Sequence, residues 1–210
     1  MKQIKIVDFP FCNANAIHRY ASTRNIAITP LTPNDNPKDD EILFIPGVGK
    51  FHQAIDYLQQ QNLNPVIHEY LNKNISIGIC LGMQILLLGS DESPDSKGLG
   101  FFEGFCRKIP SSPLFRIPHV GWNSLVPNLE CPNIFSSDNI EYSHRDYYFV
   151  HSYYCNLNDP SLVSSSFRHP ESNLLTASLE YENRVFGFQF HPEKSGKAGY
   201  NLLDHVVFQR

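Results

Sequence analysis

The first half of the chain alternates short apolar segments with amphipathic stretches, and this alternation restricts the available folds more than any other feature. Residues 4–7, 41–45 and 75–79 carry Ile, Val, Leu or Phe at most positions and have the length of buried strands. Apolar residues recur at helical spacing between the last two, first Phe51, Ala54, Ile55 and Leu58 and then Val66, Ile67, Tyr70 and Leu71. Strands joined by amphipathic helices are typical of a mostly parallel sheet covered on both faces, so the sequence predicts an α/β fold.

The second half has a different pattern, in which prolines separate short β-rich segments. Residues 147–150, 174–179 and 185–190 have the composition of strands. A closing helix carries Leu202, Leu203, Val206 and Val207 on one face. This half predicts an antiparallel or mixed section built onto the parallel sheet. No repeat, low-complexity tract or linker interrupts the chain, so residues 1–210 are expected to form a single domain.

Composition and charge exclude several classes of function. The chain has 17 basic and 21 acidic residues, a formal net charge of −4, and no dense block of Lys or Arg that could bind a phosphate backbone. Nucleic acid is therefore not expected as a partner. The longest aliphatic run, residues 85–88, is far too short to span a membrane. The N-terminal residues lack the apolar core of a signal peptide, so we expect a cytosolic protein.

The cysteines and histidines predict neither a disulfide framework nor a metal site. The five cysteines are scattered and form no C-x-x-C pair; they are Cys12, Cys80, Cys106, Cys131 and Cys155. The nine histidines include no H-E-x-x-H motif and no pair at ligand spacing, so no metal is expected. Four of the cysteines are interpreted as packing residues, and Cys80 is set apart by its neighbours.

Cys80 lies between two glycines at a predicted strand-to-helix junction. An apolar strand runs through Gly78 into Cys80 and a helix begins near Gly82, which is the arrangement of a nucleophile elbow with cysteine in place of serine. The residues two before and two after such a nucleophile must lack a Cβ atom, because strand and helix approach closely there. The helix N-terminus would favour the thiolate, and the Leu81 N–H would face an oxyanion. The alternative is a buried structural cysteine in a tight turn.

A cysteine nucleophile needs a base and a group that orients the base. The triplet His191-Pro192-Glu193 supplies both at a spacing that places the two side chains on one side of an extended segment. The same triplet occurs at residues 169–171, but there it follows polar residues 164–168, which lack a strand pattern, so this triplet is predicted to lie on a loop. His191 instead closes the strand at residues 185–190, the kind of strand terminus where α/β sheets carry active sites. We therefore expect His191, not His169, to be the base.

Residues 46–50, with the sequence Pro-Gly-Val-Gly-Lys, follow the second predicted strand. They miss the phosphate-binding loop motif, because Phe44 stands where its first glycine belongs and Phe51 where its Ser or Thr belongs. No nucleotide is therefore expected. A Gly-x-Gly segment can instead present backbone N–H groups to an oxyanion, as a second donor beside Leu81. The alternative is a simple loop before a helix.

Together these motifs resemble those of the class I glutamine amidotransferases, and within them the glutaminase subunits of imidazole glycerol phosphate synthases. Five segments carry the resemblance, in family order: residues 46–49, 78–84, 118–123, 148–153 and 187–196. The resemblance implies a flavodoxin-like or Rossmann-like fold, with a central mixed, mostly parallel sheet flanked by helices and an added antiparallel β section. It also implies that the chain hydrolyses L-glutamine to glutamate and ammonia without a cofactor. The ammonia would pass to a (β/α)8-barrel synthase subunit, in a heterodimer that makes imidazole glycerol phosphate and AICAR in histidine biosynthesis.

The resemblance further implies roles for particular residues. A catalytic triad, working through a γ-glutamyl thioester, would consist of Cys80, His191 and Glu193. The oxyanion hole would be formed by Val48, Gly49 and Leu81, with or without a peptide flip driven by the partner. Glutamine would be bound by Gly47, Gln84, His151, Ser152 and Tyr153. The partner interface would include Asn13, Asn15, His119, Trp122 and Lys194, although Trp122 could instead be a core residue and Lys194 a solvated surface charge.

Residues 8–16 depart from the family pattern. Family members carry a glycine-containing loop there, whereas this chain has Phe9, Pro10 and Phe11. The departure falls near the expected partner surface, so it bears on the identity of the partner more than on the chemistry. One alternative is a paralogous subunit that supplies ammonia for acetamidino-sugar formation in surface-polysaccharide biosynthesis. Another is a free-standing cysteine hydrolase, which would give no reason for the segments 118–123 and 148–153.

Overall fold

The computed structural model of the chain describes residues 2–130, 133–135 and 145–208. The strands, in chain order, are β1 (Gln3–Ile6), β2 (Ala27–Pro30), β3 (Glu41–Ile45), β4 (Ser76–Ile79), β5 (Gly89–Ser90), β6 (Ser93–Lys97), β7 (Gly104–Lys108), β8 (His119–Ser124), β9 (Val126–Pro127), β10 (Asp146–His151), β11 (Tyr153–Leu157), β12 (Val163–His169), β13 (Asn173–Tyr181) and β14 (Val185–Phe188). The helices are α1 (Asn15–Thr23), α2 (Phe51–Gln60), α3 (Asn64–Lys73), α4 (Leu81–Gln84) and α5 (Gly196–Phe208). Single 3₁₀ turns cover Pro160–Leu162 and Pro192–Lys194.

An eight-stranded sheet forms the centre of the described fold, in the order β2-β1-β3-β4-β14-β13-β12-β9. The first five strands of that order run parallel to one another, and the remaining three pair antiparallel. The predicted mixed, mostly parallel sheet is thereby confirmed. Two smaller sheets, β10-β8 and β11-β7-β5-β6, make up the added β section.

Strand β3 illustrates how the sequence builds a core on each face of the sheet. All five of its residues are buried. Because successive strand side chains point to opposite faces, Ile42 and Phe44 join the hydrophobic cluster that contains the apolar residues of α1 and α5. Leu43 and Ile45 join the cluster that contains those of α2 and α3. The apolar positions predicted on the helices are all buried, which confirms the predicted helical stripes.

Four of the segments singled out by the sequence lie at the carboxyl ends of the parallel strands β1, β3, β4 and β14. Residues 8–13 follow β1, residues 46–50 follow β3, Cys80 follows β4 and His191 lies shortly after β14. Since these strands are neighbours in one sheet, their carboxyl ends meet at one edge, where α/β sheets bind ligands.

Residues 163–169 form strand β12, so the interpretation that residues 164–168 are not a strand is wrong. The triplet at residues 169–171 begins on the last residue of this strand and continues into the turn that follows it. Ser164 and Ser165 are buried, and their hydroxyls hydrogen-bond that of Ser178 on β13 at 2.7 and 2.5 Å. A polar sequence can occupy an interior strand when its hydroxyls satisfy one another in this way. Strand β2 and helix α1 are further elements that the sequence analysis did not identify.

Strand β14 ends at Phe188, two residues before the end of the predicted strand. The chain beyond it is held by separate backbone bonds, from the Gln189 N–H to the Ala177 carbonyl and from the His191 N–H to the Tyr148 carbonyl, both 2.8 Å. His191 is therefore fixed between the main sheet and β10 and does not close a strand.

None of the helices in the described residues is long and apolar enough to cross a lipid bilayer. The cytosolic location stays a prediction.

Candidate active site

Cys80 occupies a strained turn between β4 and α4. Its backbone has φ 53° and ψ −107°, a region that residues with a Cβ atom rarely adopt. A Cβ added to Gly82 would lie 1.7 Å from the carbonyl oxygen of Ile45, and one added to Gly78 would lie 2.8 Å from that of Gly82. The predicted steric need for both glycines is therefore confirmed.

Helix α4, which follows Cys80, is only one turn long. It spans Leu81–Gln84, so it contributes less of a helix dipole at the sulfur than a longer helix would. The Leu81 N–H donates to the Gly47 carbonyl oxygen over a long 3.4 Å. The predicted oxyanion donor thus faces a carbonyl of the neighbouring loop in this structure.

His191 and Glu193 are paired beside the sulfur. The Nδ1 of His191 lies 2.7 Å from Oε1 of Glu193, and both side chains are buried. The pair forms across the 3₁₀ turn at Pro192–Lys194, and not along an extended segment as predicted from the spacing. The carboxylate fixes the proton on Nδ1, so the neutral ring presents a lone pair at Nε2. Among the described residues, Nε2 has no hydrogen-bond partner of normal geometry.

The charge state of His191 follows from its neighbours. Burial lowers the pKa of its imidazole, but the Cys80 sulfur and the Glu193 carboxylate raise it, and the resulting pKa is about 9. The ring therefore keeps its second proton at neutral pH. A protonated imidazole beside a sulfur can stabilise a thiolate and can donate a proton to a leaving group.

A cavity of about 250 Å³ opens onto the Cys80 sulfur. Its walls are formed by Val48, Gly49, Cys80, Leu81, Gln84, Glu92, Pro118, Val150, His151, Ser152 and Tyr153. The structure thus brings together residues predicted to bind glutamine and to form the oxyanion hole. Gly47 lies just outside this set, packed under Leu81. Two larger cavities, of about 560 and 540 Å³, are lined by neither cysteine nor histidine among the described residues.

Glu92 is the only carboxylate in the wall of that cavity among the described residues, and sequence reasoning missed it. It lies on the turn between β5 and β6, and its Oε2 accepts the Phe51 N–H at 2.7 Å. No motif marks this position, because the turn reaches the cavity only through the packing of β6 against α2.

A hydrogen-bonded chain of amides connects the cavity wall with the sulfur. The Nε2 of Gln84 donates to the Tyr153 carbonyl oxygen at 3.1 Å and to Oε1 of Gln189 at 3.0 Å. The Nε2 of Gln189 in turn lies 3.5 Å from the Cys80 sulfur. Sequence reasoning assigned no role to Gln189; its only signal is its position two residues before His191.

His151 and His119 form a second chain that ends at the same carbonyl. The Nδ1 of His151 lies 2.7 Å from the Tyr153 oxygen, its Nε2 lies 3.0 Å from Nδ1 of His119, and Nε2 of His119 lies 3.3 Å from Nδ2 of Asn123. Burial lowers the pKa of His119 to about 4. Burial lowers the pKa of His151 to about 3, with the charges of His119 and His191 acting in the same direction.

The divergent loop after β1 packs against the loop predicted to complete the oxyanion hole. Gly49 has φ 125°, and a Cβ added there would lie 3.1 Å from the Phe11 ring. Phe11 stacks on the buried Phe9 ring with 5.2 Å between centroids. Burial raises the pKa of the half-buried Cys12 thiol, and the Val48 N–H lowers it. The two aromatic residues therefore fill space directly beneath the Gly-x-Gly segment.

His169 is buried in a structural position away from the sulfur. Its Nδ1 accepts the backbone N–H groups of Glu171 and Ser172 at 3.3 and 3.1 Å, and its Nε2 lies 3.1 Å from the Pro110 carbonyl oxygen. Glu171 thus contacts His169 through its backbone and not through its carboxylate. The second triplet therefore does not reproduce the His191–Glu193 pair.

The residues predicted at the partner interface differ in exposure. Asn13, Asn15 and Lys194 are exposed, and the Trp122 side chain is 58% exposed, which excludes a core position for it within the described fold. The His119 side chain is buried and bonded to His151, so its ring is not on the surface as the interface prediction requires. Its neighbours Val120 and Trp122 are the exposed apolar side chains of β8.

The remaining cysteines serve packing where the structure describes them. Cys106 and Cys155 are fully buried and pair across β7 and β11. Cys131 lies outside the described residues. No three His, Cys, Asp or Glu side chains within residues 2–130, 133–135 and 145–208 are placed to hold a metal ion.

Comparison with known proteins gives one family. Residues 5–209 match the model of the family described as "Glutamine amidotransferase class-I". The chain is 32% identical over 218 residues to the imidazole glycerol phosphate synthase subunit HisH of Methanopyrus kandleri, covering 98% of this chain and 97% of the relative. It is 38% identical over 172 residues to the subunit of the same name from Pyrococcus furiosus, covering 81% and 82% of the two chains.

Solved structures show the same fold at lower sequence identity. A crystal structure of a glutamine amidotransferase superposes with a TM-score of 0.70 at 12% identity, covering 97% of this chain and 98% of that one. The structure of PurLQS from Thermotoga maritima superposes with a TM-score of 0.69 at 18% identity, covering 99% and 98%. At these identities the likeness concerns the fold alone.

Proposed function

The chain belongs to the class I glutamine amidotransferase family, and on that premise we propose that it is the glutaminase subunit of an imidazole glycerol phosphate synthase. The observation that carries the proposal is the His191–Glu193 pair, 2.7 Å apart, beside a cysteine held at φ 53°. The proposed reaction is hydrolysis of L-glutamine to glutamate and ammonia within one domain, without a cofactor.

The proposed chemistry begins with a thiolate at Cys80 and a protonated His191. The sulfur attacks the side-chain amide carbon of glutamine, and the carbon–nitrogen bond breaks as the imidazolium of His191 gives its proton to the leaving ammonia. The product on the enzyme is a γ-glutamyl thioester. His191 then takes a proton from water as the water attacks the thioester, and glutamate leaves with the thiolate restored. Glu193 keeps the ring in one tautomer through both steps.

The cavity walls supply the proposed glutamine site. Glu92 carries a negative charge that can pair with the α-ammonium group of an amino acid. Gln84 uses both its N–H groups on protein carbonyls, so only its Oε1 is left to accept a bond from substrate. Gly47, His151, Ser152 and Tyr153 complete the proposed binding surface.

The proposed oxyanion hole requires a change in the loop after β3. The Leu81 N–H donates to the Gly47 carbonyl at 3.4 Å, and rotation of the Gly47–Val48 peptide would move that carbonyl away. Rotation at this peptide or the next would present the Val48 or Gly49 N–H to the oxyanion as a second donor. Glycine tolerates such a rotation because it populates both signs of φ. We propose that docking of a (β/α)8-barrel synthase subunit drives this rotation. Exposed Asn13, Asn15, Trp122 and Lys194 would form part of the docking surface.

The proposed function is tested with the barrel synthase protein of the same organism. Mixed with that protein and its imidazole-pathway ligand, the chain is expected to release glutamate from glutamine at least tenfold faster than it does alone. Imidazole glycerol phosphate should form from glutamine as nitrogen donor. Failure to hydrolyse glutamine, with a partner that is active on added ammonia, would contradict the proposal.

The loop after β1 supports a second candidate function. Phe9 and Phe11 occupy the loop against Gly49, where the family carries small residues, so the partner-facing surface differs from the family pattern. The alternative is a subunit that supplies ammonia for acetamidino-sugar formation. Stimulation of glutamate release by a sugar nucleotide and its barrel partner, and not by the imidazole-pathway ligand, would favour that alternative.

Replacing Glu92 by glutamine is expected to raise the KM for glutamine about tenfold or more, with a smaller change in kcat. The variant keeps an acceptor for the Phe51 N–H and removes only the charge that would pair with the α-ammonium group. Each tenfold rise in KM corresponds to a loss of about 1.4 kcal/mol. Steady-state glutamate release measures it. The matched control is Asp91→Asn, which removes the neighbouring carboxylate on the surface and should leave KM unchanged. Equal KM values for Glu92→Gln and wild type would exclude the pairing.

A further inference from the structure

Gln189 is a fully buried amide between the Cys80 sulfur and Gln84. Its Nε2 lies 3.5 Å from the sulfur and its Oε1 lies 3.0 Å from Nε2 of Gln84. An amide can be turned by 180° with little change in shape, so its direction has to be deduced from the groups around it. That direction decides whether the sulfur meets an N–H donor or a carbonyl oxygen.

The Tyr153 carbonyl fixes the direction of the whole amide chain. A backbone carbonyl can only accept, so the Gln84 atom 3.1 Å from it must be the nitrogen. The second N–H of that nitrogen then points to Gln189, whose facing atom must be the oxygen. The other end of the Gln189 amide, next to Cys80, is therefore the NH₂ group. A donor at the sulfur is thus dictated by a carbonyl two side chains away.

The histidine chain holds that carbonyl in place from the other side. His151 must donate from Nδ1 to the Tyr153 oxygen, so its neutral ring accepts at Nε2 from Nδ1 of His119. His119 then accepts at Nε2, where the Asn123 amide donates. Every donor meets an acceptor in this arrangement. Burial lowers the pKa values of both rings, which agrees with the neutral forms that the chain requires.

Two groups contact the Cys80 sulfur with opposite preferences. The Val150 carbonyl oxygen, 3.8 Å away, can accept a bond only from a protonated thiol. The Gln189 N–H donates, and a donor binds a thiolate more strongly than a neutral sulfur. Because α4 is a single turn, its helix dipole contributes little to the stabilisation of the thiolate.

We propose that Gln189 is a catalytic residue that donates a hydrogen bond to the Cys80 sulfur and so stabilises the thiolate, with its direction fixed by the Tyr153 carbonyl through Gln84. The inference rests on the proposed function, since it assigns a role in the activation of the same nucleophile. It adds a hydrogen-bond donor to the Cys80 sulfur that lies outside the triad of Cys80, His191 and Glu193.

The test is the Gln189→Met variant, in which an unbranched side chain of similar length replaces the amide and removes the donor. The readout is the rate of alkylation of each cysteine by iodoacetamide from pH 5 to 10, resolved by mass spectrometry of the cysteine peptides. Without the donor, only His191 still opposes the preference of the Val150 carbonyl for the protonated thiol. We expect the alkylation profile of Cys80 to move about one pH unit higher, and its rate at pH 7 to fall roughly three- to tenfold.

The matched control is Ile79→Val, which removes one methylene beside Cys80 without touching a donor. It should lower the melting temperature and leave the alkylation profile of Cys80 unchanged. A wild-type profile in Gln189→Met, or an equal shift in Ile79→Val, would overturn the proposal.

A second measurement needs no variant that might fail to fold. In ¹⁵N-labelled wild-type protein, the side-chain amide resonances of Gln189 should shift when Cys80 is alkylated, while those of Gln3, at the start of β1, should not. Resonances that stay fixed on alkylation would overturn the proposal. Neither readout requires glutamine turnover. If the protein hydrolysed no glutamine, the proposed function would be contradicted, but the two measurements would still show whether Gln189 donates to the Cys80 sulfur.

Discussion

Cys80→Ala is expected to abolish glutamine hydrolysis in the presence of the barrel partner, with a loss on the order of 10⁶-fold in kcat, as for the nucleophile of another catalytic triad. No other sulfur lies in the described wall of the cavity, so none can replace Cys80 in forming the thioester. The backbone strain at φ 53° is retained by alanine, and we therefore expect the variant to fold and to bind the partner. Glutamate release and analytical ultracentrifugation measure the two properties separately.

The control for this prediction is Cys155→Ala, which removes a fully buried sulfur on β11. It should lower stability and keep glutamine turnover within about twofold of wild type, since the sulfur contacts Cys106 and is not among the described residues of the cavity wall. Glutamine turnover that is retained in Cys80→Ala would contradict the proposed mechanism. Mass spectrometry after treatment with a glutamine-analogue affinity label should show the modification on Cys80 alone.

The two His-Pro-Glu triplets provide the second large prediction. His191→Gln should reduce the turnover of the substrate glutamine on the order of 10²- to 10⁴-fold. The amide side chain introduced at position 191 can still hydrogen-bond Glu193, but it cannot exchange a proton near neutral pH. His169→Gln should leave turnover close to wild type. It should instead lower the free energy of unfolding by about 1–3 kcal/mol, because the bonds to the Glu171 and Ser172 N–H groups and to the Pro110 carbonyl are weakened.

Turnover measured with the partner and chemical denaturation of each isolated variant separate these effects. The two substitutions are the same chemical change at two buried histidines, so each serves as the control for the other. A loss of turnover in His169→Gln equal to that in His191→Gln would contradict the assignment of the base. Unchanged stability in His169→Gln would contradict the structural role given to that residue.

The parallel half of the fold could be predicted from the sequence because its signals are local. The apolar strands at residues 41–45 and 75–79 and the helical stripes between them are read within windows shorter than twenty residues. Residues 164–168 could not be read in this way. Their serines satisfy one another across β12 and β13, and that pairing is visible only after the two strands are aligned.

The candidate triad could also be predicted from the sequence, because its signals are local. Gly78, Cys80 and Gly82 are fixed by the geometry of one turn, and His191 and Glu193 are separated by two residues. The predicted extended geometry of the latter pair was wrong, although the pairing itself is present, because the proline begins a 3₁₀ turn. Spacing therefore identified the partners more reliably than the backbone conformation that joins them.

By itself, the sequence determined an α/β sheet with a cysteine at a glycine-flanked turn and a base with its orienting carboxylate, since each feature is fixed by neighbouring residues. Only the tertiary structure decided that Glu92 enters the cavity, that the Gln189 amide faces the sulfur, and that His119 lies buried behind His151. The physical reason is that an amide side chain can donate or accept at either end, so its direction is set by a contact with a group that can only accept, and that contact forms only in the folded chain. Here that partner is the Tyr153 carbonyl, which lies 69 residues along the chain from Gln84.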